Sequence, residues 1–372
     1  MWFACLPLST RQSMRIHQKL LVIAIIAGRA VAVDAVEVTP TGRLHVDYAH
    51  HDSDVAQFEN KALVRRAQFG LKGKFGSGWS AEVVYDFASG GSLKDVYLRY
   101  RGWGHSDLKL GQFKVPFGLE QLTSTNDITF MERTLPSEAF TLSRRKGIGF
   151  QSNGANYTWA AMGFAPSIAG IGDNGAAARV TFNPFKAGNT LVHLGLAALT
   201  QRPRGAVNLG ARPEALPTDI RLVRTGSIFP VRRLDKLGVE AAWKKGPVSL
   251  QGEWIQTRLS PTASGSDGYF QGWYVAGSWV LTGESRGYKD GVFQQVVPAR
   301  KAGAWELAAR YSGINLDSDQ IRGGKEHNVT FGLNWYFNDH LRLMVDYVKV
   351  ISDRRGIADN PSILDVRAQF AF

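Results

Sequence analysis

From about residue 40 onward the chain consists of short segments in which polar and apolar residues alternate, and no other feature constrains its fold so tightly. The last segment, SILDVRAQFAF at 362–372, sets Leu364, Val366, Ala368, Phe370 and Phe372 on one side and Asp365, Arg367 and Gln369 on the other. Successive side chains of a strand point to opposite faces, so a period of two marks a strand whose faces meet different surroundings. In a soluble protein a terminal strand of this kind leaves an open edge that invites pairing with other chains. A sheet closed into a barrel has no such edge, and within a bilayer its apolar face needs no second layer of protein.

The same pattern recurs along the chain. WSAEVVYDF groups Trp79, Ala81, Val83, Tyr85 and Phe87 against Glu82, Val84 and Asp86. NVTFGLNWYF groups Val329, Phe331, Leu333, Trp335 and Phe337 against Asn328, Thr330, Asn334 and Tyr336. Tight turns join several pairs, at Gly76–Gly78, Ser152–Asn156, Lys244–Pro247 and Asn338–Asp339. The spacing predicts sixteen strands, at 44–51, 62–75, 79–89, 92–102, 106–116, 146–154, 156–164, 176–184, 189–201, 234–245, 247–259, 269–281, 302–312, 325–338, 340–352 and 362–372. Many are long for a soluble sandwich but suit tilted strands of about 9–11 residues crossing a bilayer. Short turns alternate with longer loops, as at the two rims of an outer-membrane barrel. No repeat of fixed period is present, which argues against a propeller. The expected class is all-β, a transmembrane antiparallel barrel of about sixteen strands.

Arg11, Arg15 and Lys19 precede LLVIAIIAG, and RAVAVDA follows, with cleavage expected after Ala32 or Ala35. This is the order of a secretory signal, and its apolar run is too short to span a bilayer as a helix. Residues 1–35 are therefore expected to be a removed signal peptide, and 36–372 the barrel domain. Four basic residues and one acid leave with that peptide (Arg11, Arg15, Lys19, Arg29 and Asp34), so a net charge of +12 becomes +9. The single cysteine, Cys5, lies in the same peptide, which excludes a disulfide framework and a cysteine-based zinc site.

The basic residues of the barrel strands fall opposite the aromatic stripes. Arg66, Lys72 and Lys74 oppose Leu63, Ala67, Phe69, Leu71 and Phe75, while Arg99 and Arg101 oppose Val96, Leu98 and Tyr100. With the aromatics toward lipid, those charges line the lumen, where low-dielectric walls focus their field and concentrate anions. Nucleic-acid binding, the usual alternative for so basic a chain, fits neither export nor basic residues dispersed over strands. No nucleophile elbow, HExxH or P-loop pattern is present. His50, His51, Asp52 and Asp54 form a local cluster, better read as a solvated strand end than as a metal site. No cofactor is expected.

The segment from Lys109 to Phe140 departs from the alternation. After GQFKVPFGLE at Gly111–Glu120 come about thirty residues without it, including FMER and LPSEAF, until RRKGIGFQ resumes at Arg144. Long loops inside a compact fold are usually functional. Together with the aromatic final strand, these motifs resemble the phosphate-selective porin family of Gram-negative outer membranes. The resemblance implies a trimeric, 16-stranded barrel whose third long loop folds inward and narrows the pore. It also implies an arginine ladder at the outer mouth and a lysine cluster on the periplasmic side. Arg65, Arg66 and Arg133 match the first, with Arg202, Arg204, Arg212, Arg221 and Arg224 in a long loop expected to stand in open solvent. Lys72, Lys74, Lys109 and Lys114 match the second, with Asp86 near the constriction and Lys114 expected to reach its narrowest part. Adjacent Arg65 and Arg66 both face the lumen only across a bulge, and Lys109 and Lys114, of different parity, need another at Gly111.

The expectation is thus a Gram-negative outer-membrane porin, with no nucleic-acid partner, that passes inorganic phosphate or a related anion by passive diffusion as a homotrimer set in outer-membrane lipid. A weakly selective general porin, one tuned to pyrophosphate or another oxyanion, and a non-conducting structural or adhesin barrel are the alternatives.

Overall fold

The computed structural model of the protein describes residues 36–372 apart from Asp54, Ser89, Ile171, Leu216, Pro217, 262–266 and Gln320. The expected signal peptide lies outside the described residues. Strands in chain order are β1 Glu37–Asp52, β2 Lys61–Phe75, β3 Trp79–Asp86, β4 Ser92–Trp103, β5 Ser106–Lys114, β6 Arg144–Asn153, β7 Tyr157–Ala165, β8 Asn174–Ala187, β9 Thr190–Arg202, β10 Gly210–Ala211, β11 Val223–Arg224, β12 Val231–Lys245, β13 Val248–Pro261, β14 Gly268–Val280, β15 Tyr288–Lys289, β16 Val292–Phe293, β17 Ala304–Ser318, β18 Ile321–Tyr336, β19 Leu341–Arg354, β20 Ile357–Asp359 and β21 Ser362–Ala371. Sixteen of them form the barrel wall, each antiparallel to its neighbours. The short β20 extends one edge of β19, and β10–β11 and β15–β16 are separate two-stranded pairs. Each predicted strand overlaps one wall strand, and the main shift is at β1, which begins at Glu37 rather than at residue 44.

The final strand closes the barrel. β21 pairs with β19 on one side and with Arg43–Asp52 of β1 on the other. Gly42 and Phe372 then exchange backbone N–H···O bonds of 3.0 Å in both directions. The Phe372 ring lies where a Cβ on Gly42 would stand, so a side chain there would have to displace that ring.

The two faces of the wall separate as the alternation predicts. In β18, Phe331 is 57% exposed while its neighbour Thr330 is completely buried, a contrast that puts one toward lipid and the other inward. Aromatics cluster near the short-turn rim, with Trp79–Tyr100 ring centroids at 4.8 Å, Tyr100–Trp103 at 5.3 Å and Trp305–Trp335 at 4.9 Å. Such girdles seat a barrel at the membrane interface.

Six of the connections at that rim are tight turns. The seventh, 281–303, is long and carries β15 and β16. At the opposite rim the longest connections are 115–143 and 203–230. All three long segments contribute to an apolar core inside the barrel. Phe117, Leu135 and Phe140 of the first pack with Leu209 and Val223 of the second against Phe164, Leu199, Ile255 and Phe270 of the wall. Phe293 of the third packs with Leu119 and Ala242.

Candidate pore constriction

Loop 115–143 enters the lumen because it carries apolar anchors and because the wall answers its backbone. Val115, Phe117, Leu119, Leu135 and Phe140 are completely buried. Burial of each such side chain contributes roughly 1.5–3 kcal/mol. Backbone N–H and C=O groups taken out of water need partners, and wall side chains supply them. Glu253 accepts from the N–H groups of Leu119 and Glu120, both at 2.7 Å, at the start of the short helix α1 (Leu119–Leu122). Arg342 donates to the carbonyls of Ile128 and Thr129 at 2.8 and 2.9 Å, and Asp346 accepts from Met131 N–H at 2.7 Å. Lys236 donates to Phe140 O at 2.7 Å, at the end of helix α2 (Leu135–Phe140).

Glu132 is the centre of this clasp. It lies 3.2 Å from Arg65, 2.8 Å from Arg367 and 3.9 Å from Arg66. Burial pushes its carboxyl upward, but Arg65, Arg66 and Arg367 more than reverse that and hold it well below the usual carboxylate range. The expected bulge is present. The β1–β2 register shifts between His45 and Val46, leaving Arg65 without a partner in the register, so both adjacent arginines reach the same carboxylate. Arg133 and Lys114 are also turned toward the loop. Arg133 donates to the carbonyls of Glu120 and Thr123 at 3.1 and 3.0 Å. Lys114 Nζ donates to Gln121, Leu122 and Thr123 carbonyls at 2.9, 2.9 and 3.1 Å, closing the C-terminal end of α1. Lys114 lies beside loop 115–143, and its ammonium is occupied by carbonyls that α1 cannot satisfy itself.

Loop 203–230 is only partly in open solvent. Arg202, Arg204 and Arg224 are exposed, whereas Arg212 pairs with Glu138 of loop 115–143 at 2.7 Å and Arg221 approaches the same carboxylate at 3.8 Å. Glu214, missed by the sequence reading, is buried and accepts from Leu135 N–H and from Arg310, both at 2.8 Å. Glu214 thereby ties this loop, the loop 115–143 and the wall together. Arg212 is thus half-buried in an ion pair with loop 115–143 rather than standing in open solvent.

On the other side of loop 115–143 a cavity of about 350 Å³ remains open. Its charged lining is Arg99, Lys109, Lys114, Arg144 and Arg179 against Glu82, Asp95 and Asp290. Arg144 pairs with Asp95 at 2.7 Å, Arg99 with Asp107, and Arg179 with Glu240 at 2.7 Å. Lys109 differs. Its ammonium stands 5.3 Å from the Tyr97 ring and 5.8 Å from Phe113, and among the described residues it has no carboxylate within 4.0 Å. Gly111, at φ +130°, sits between Lys109 and Lys114, and both line the cavity although the pairing of β5 with β4 and β6 shows no register shift there. A Cβ on Gly111 would strike Val96 O and Tyr97, which explains the glycine. Asp86 accepts from Gln68 at 2.7 Å and lies 3.6 Å from Lys94, while Lys72 is 3.8 Å from Glu82 and Lys74 forms a 3.0 Å exposed pair with Glu37. Arg144 and Asp290, which line the cavity, went unrecognised in the sequence, although Arg144 opens the RRKGIGFQ motif that carried the resemblance. In the His50–Asp54 cluster, His51 stacks on Phe58 at 4.9 Å, and Asp54 lies outside the described residues.

The segment 281–303 reaches this region from the opposite rim. Tyr288 OH shares a 2.6 Å hydrogen bond with His193 Nδ1 and accepts from Asn183 at 3.1 Å. Arg179 donates to Gly291 O at 2.8 Å, and Lys244 donates to Arg286 O at 2.7 Å. The two infolded segments meet at Asp127, whose carbonyl accepts from Arg286 at 3.1 Å and whose carboxylate accepts from Gln295 N–H at 3.2 Å.

A closed sixteen-stranded barrel with a lipid-facing apolar wall and infolded loops bounding a charged passage defines a porin, a channel of the Gram-negative outer membrane. A family model for phosphate-selective porin O and P matches residues 38–372, and the chain belongs to that family. It is 26% identical over 363 residues to Porin O of Pseudomonas aeruginosa, covering 84% of this chain and 82% of that one. Among solved structures it is similar to the trimer form of OmpT of Vibrio cholerae, with TM-score 0.63, 12% identity and coverage of 91% of this chain and 100% of the other. It is also similar to an anion-selective porin of Comamonas acidovorans, with TM-score 0.58, 15% identity and the same coverage. At those identities the two structures establish the fold alone.

Proposed function

We propose that the protein passes anions, with phosphate preferred, by passive diffusion through the cavity beside loop 115–143, as a homotrimer formed after removal of residues 1–35. The observation that carries this reading is Lys109, an ammonium on the cavity wall bedded on two aromatic faces and, among the described residues, free of an ionic partner within 4.0 Å. The aromatic bed leaves its N–H groups for a passing anion. The neighbouring guanidinium of Arg144 adds planar donors suited to phosphate oxygens, though Asp95 shares it. Several partly neutralised sites in series let an ion enter and leave, where one deep site would trap it. That same neutralisation, with Arg65, Arg66, Arg99 and Arg144 all near carboxylates, favours as second reading a weakly selective oxyanion porin.

Single-channel recording in a salt gradient tests the reading. The reversal potential is expected to show anion preference, and phosphate is expected to block chloride current. Lys109→Gln should raise the half-blocking phosphate concentration about tenfold, the weight of roughly 1.4 kcal/mol. Cation preference would remove the proposal, and chloride current indifferent to phosphate would leave the weakly selective reading.

A further inference from the structure

Segment 281–303 brings a carboxylate into the passage. The β15–β16 hairpin turns through Asp290 and Gly291, both with positive φ, at +52° and +78°. Anchors on either side fix the turn: Tyr288 on His193 and Asn183, Gly291 O on Arg179, and Phe293 buried in its apolar cluster. Asp290 itself is exposed and lines the cavity that also contains Lys109. Its neighbour Lys289, also exposed, does not line that cavity. Asp290 has no ionic partner within 4.0 Å among the described residues. The cavity's other acids are committed to near partners. Glu82 accepts from Tyr97 OH at 2.6 Å, and Asp95 accepts from Arg144 at 2.9 Å.

We propose that Asp290 is a specificity-determining residue of the channel, a fixed negative charge that competes with the anion for Lys109 and speeds its departure toward the short-turn rim. The inference rests on the anion-channel reading above. A lone ammonium in a narrow, partly desolvated passage holds an anion too long for rapid conduction, and a carboxylate delivered from the exit side makes that well shallower. The same charge lowers the barrier to cations, so conduction is gained at some loss of discrimination. A backbone tied on both sides keeps the carboxylate in place while leaving it solvated.

The test uses the purified full-length channel in planar bilayers, with inorganic phosphate as the blocking ion in chloride. Asp290→Asn removes the charge and suits the left-handed turn, which asparagine also tolerates. It is expected to lower the half-blocking phosphate concentration about fourfold, the size expected of one unit charge across a half-solvated gap. It should also shift the reversal potential toward anions. In a Lys109→Gln background the effect of Asp290→Asn on block should fall below twofold. An unchanged reversal potential and unchanged block in Asp290→Asn would overturn the inference, as would a full effect without Lys109. A wild-type channel that phosphate does not block would sink the phosphate reading instead, and the reversal-potential shift would still decide the role of Asp290.

Discussion

Two segments fold into this barrel from opposite rims, and they are held by different physics. Loop 115–143 is clasped by charge. Glu132 meets three arginines of the wall, Arg342 and Arg367 donate to its carbonyls, and Asp346 and Glu253 accept from its N–H groups. Segment 281–303 is held mainly by neutral contacts. Phe293 and Val296 are buried, Tyr288 bonds to His193 and Asn183, and charged side chains reach it mostly through its carbonyls. A buried charge left without its partner is costly, so the first segment should respond steeply to loss of one carboxylate. The second should respond to lost volume and hardly at all to charge.

The largest effect is expected from Glu132→Gln. It leaves Arg65, Arg66 and Arg367 facing one another, with Asp47, 2.5 Å from Arg367, as the paired carboxylate that remains. Removing one member of such a buried cluster costs about 3–5 kcal/mol. Loop 115–143 should loosen, with a conductance rise of several fold and loss of ion preference in single-channel recordings. Glu138→Gln should be far milder. Burial pushes the Glu138 carboxyl above its ordinary value, and Arg212 only partly offsets this. The two carboxylates therefore differ in pH dependence. Glu132, depressed in the folded protein, contributes stability that is present above about pH 4, the ordinary carboxylate value, and is lost as pH falls through its lower folded value. Glu138, raised, is more easily protonated when folded, so mild acid costs nothing there. Open-channel conductance should stay constant from pH 7 to 5 and change only well below pH 4. A large change near pH 5 would show that Glu132 is not the dominant clasp.

On the other segment, Phe293→Ala removes a completely buried ring that also stacks 4.6 Å from the Arg286 guanidinium. The cost is about 3–5 kcal/mol, enough to release the β15–β16 hairpin. Current noise should rise while the stability of loop 115–143, followed by protection from hydrogen exchange, changes little. Tyr288→Phe removes only hydrogen bonds, worth about 1 kcal/mol. Equal loosening of both segments in Phe293→Ala would mean that they act as one unit joined at Asp127.

The difference between the segments also marks what could be read in advance. The alternation specified the wall strand by strand, because each of its faces has a single environment. Loop 115–143 announced itself by thirty residues without alternation, and the Arg65 bulge followed from two adjacent arginines needing one lumen. Segment 281–303 gave no such sign. Its anchors, Tyr288, Phe293 and Val296, are ordinary loop residues whose partners His193 and Ala242 are distant in sequence. The roles of the basic residues were harder still. Parity puts Lys109 and Lys114 on opposite faces, and only the fold shows that both line the cavity, where α1 offers Lys114 three carbonyls while Lys109 meets aromatic faces. Glu132, Glu138 and Glu214 are loop acids with no periodicity; the first two claim arginines that sequence alone assigns to the passing anion, and Glu214 claims Arg310 of the wall.

The smallest effect belongs to arginines that neither segment uses. Arg202, at the end of β9, and Arg204, just beyond it, are exposed, and no carboxylate lies within 4.0 Å of either side chain among the described residues. Charges at a solvated mouth raise the local anion concentration without binding any one ion, and salt screens them over about 10 Å at 0.1 M. Replacing both with glutamine should lower chloride conductance by less than twofold at 10 mM salt, and the deficit should vanish by 1 M. Phosphate block, set deeper at Lys109, should be unchanged. A deficit that persists at 1 M salt would place these two arginines in the passage itself, and the division between a steering mouth and a selective interior would then fail.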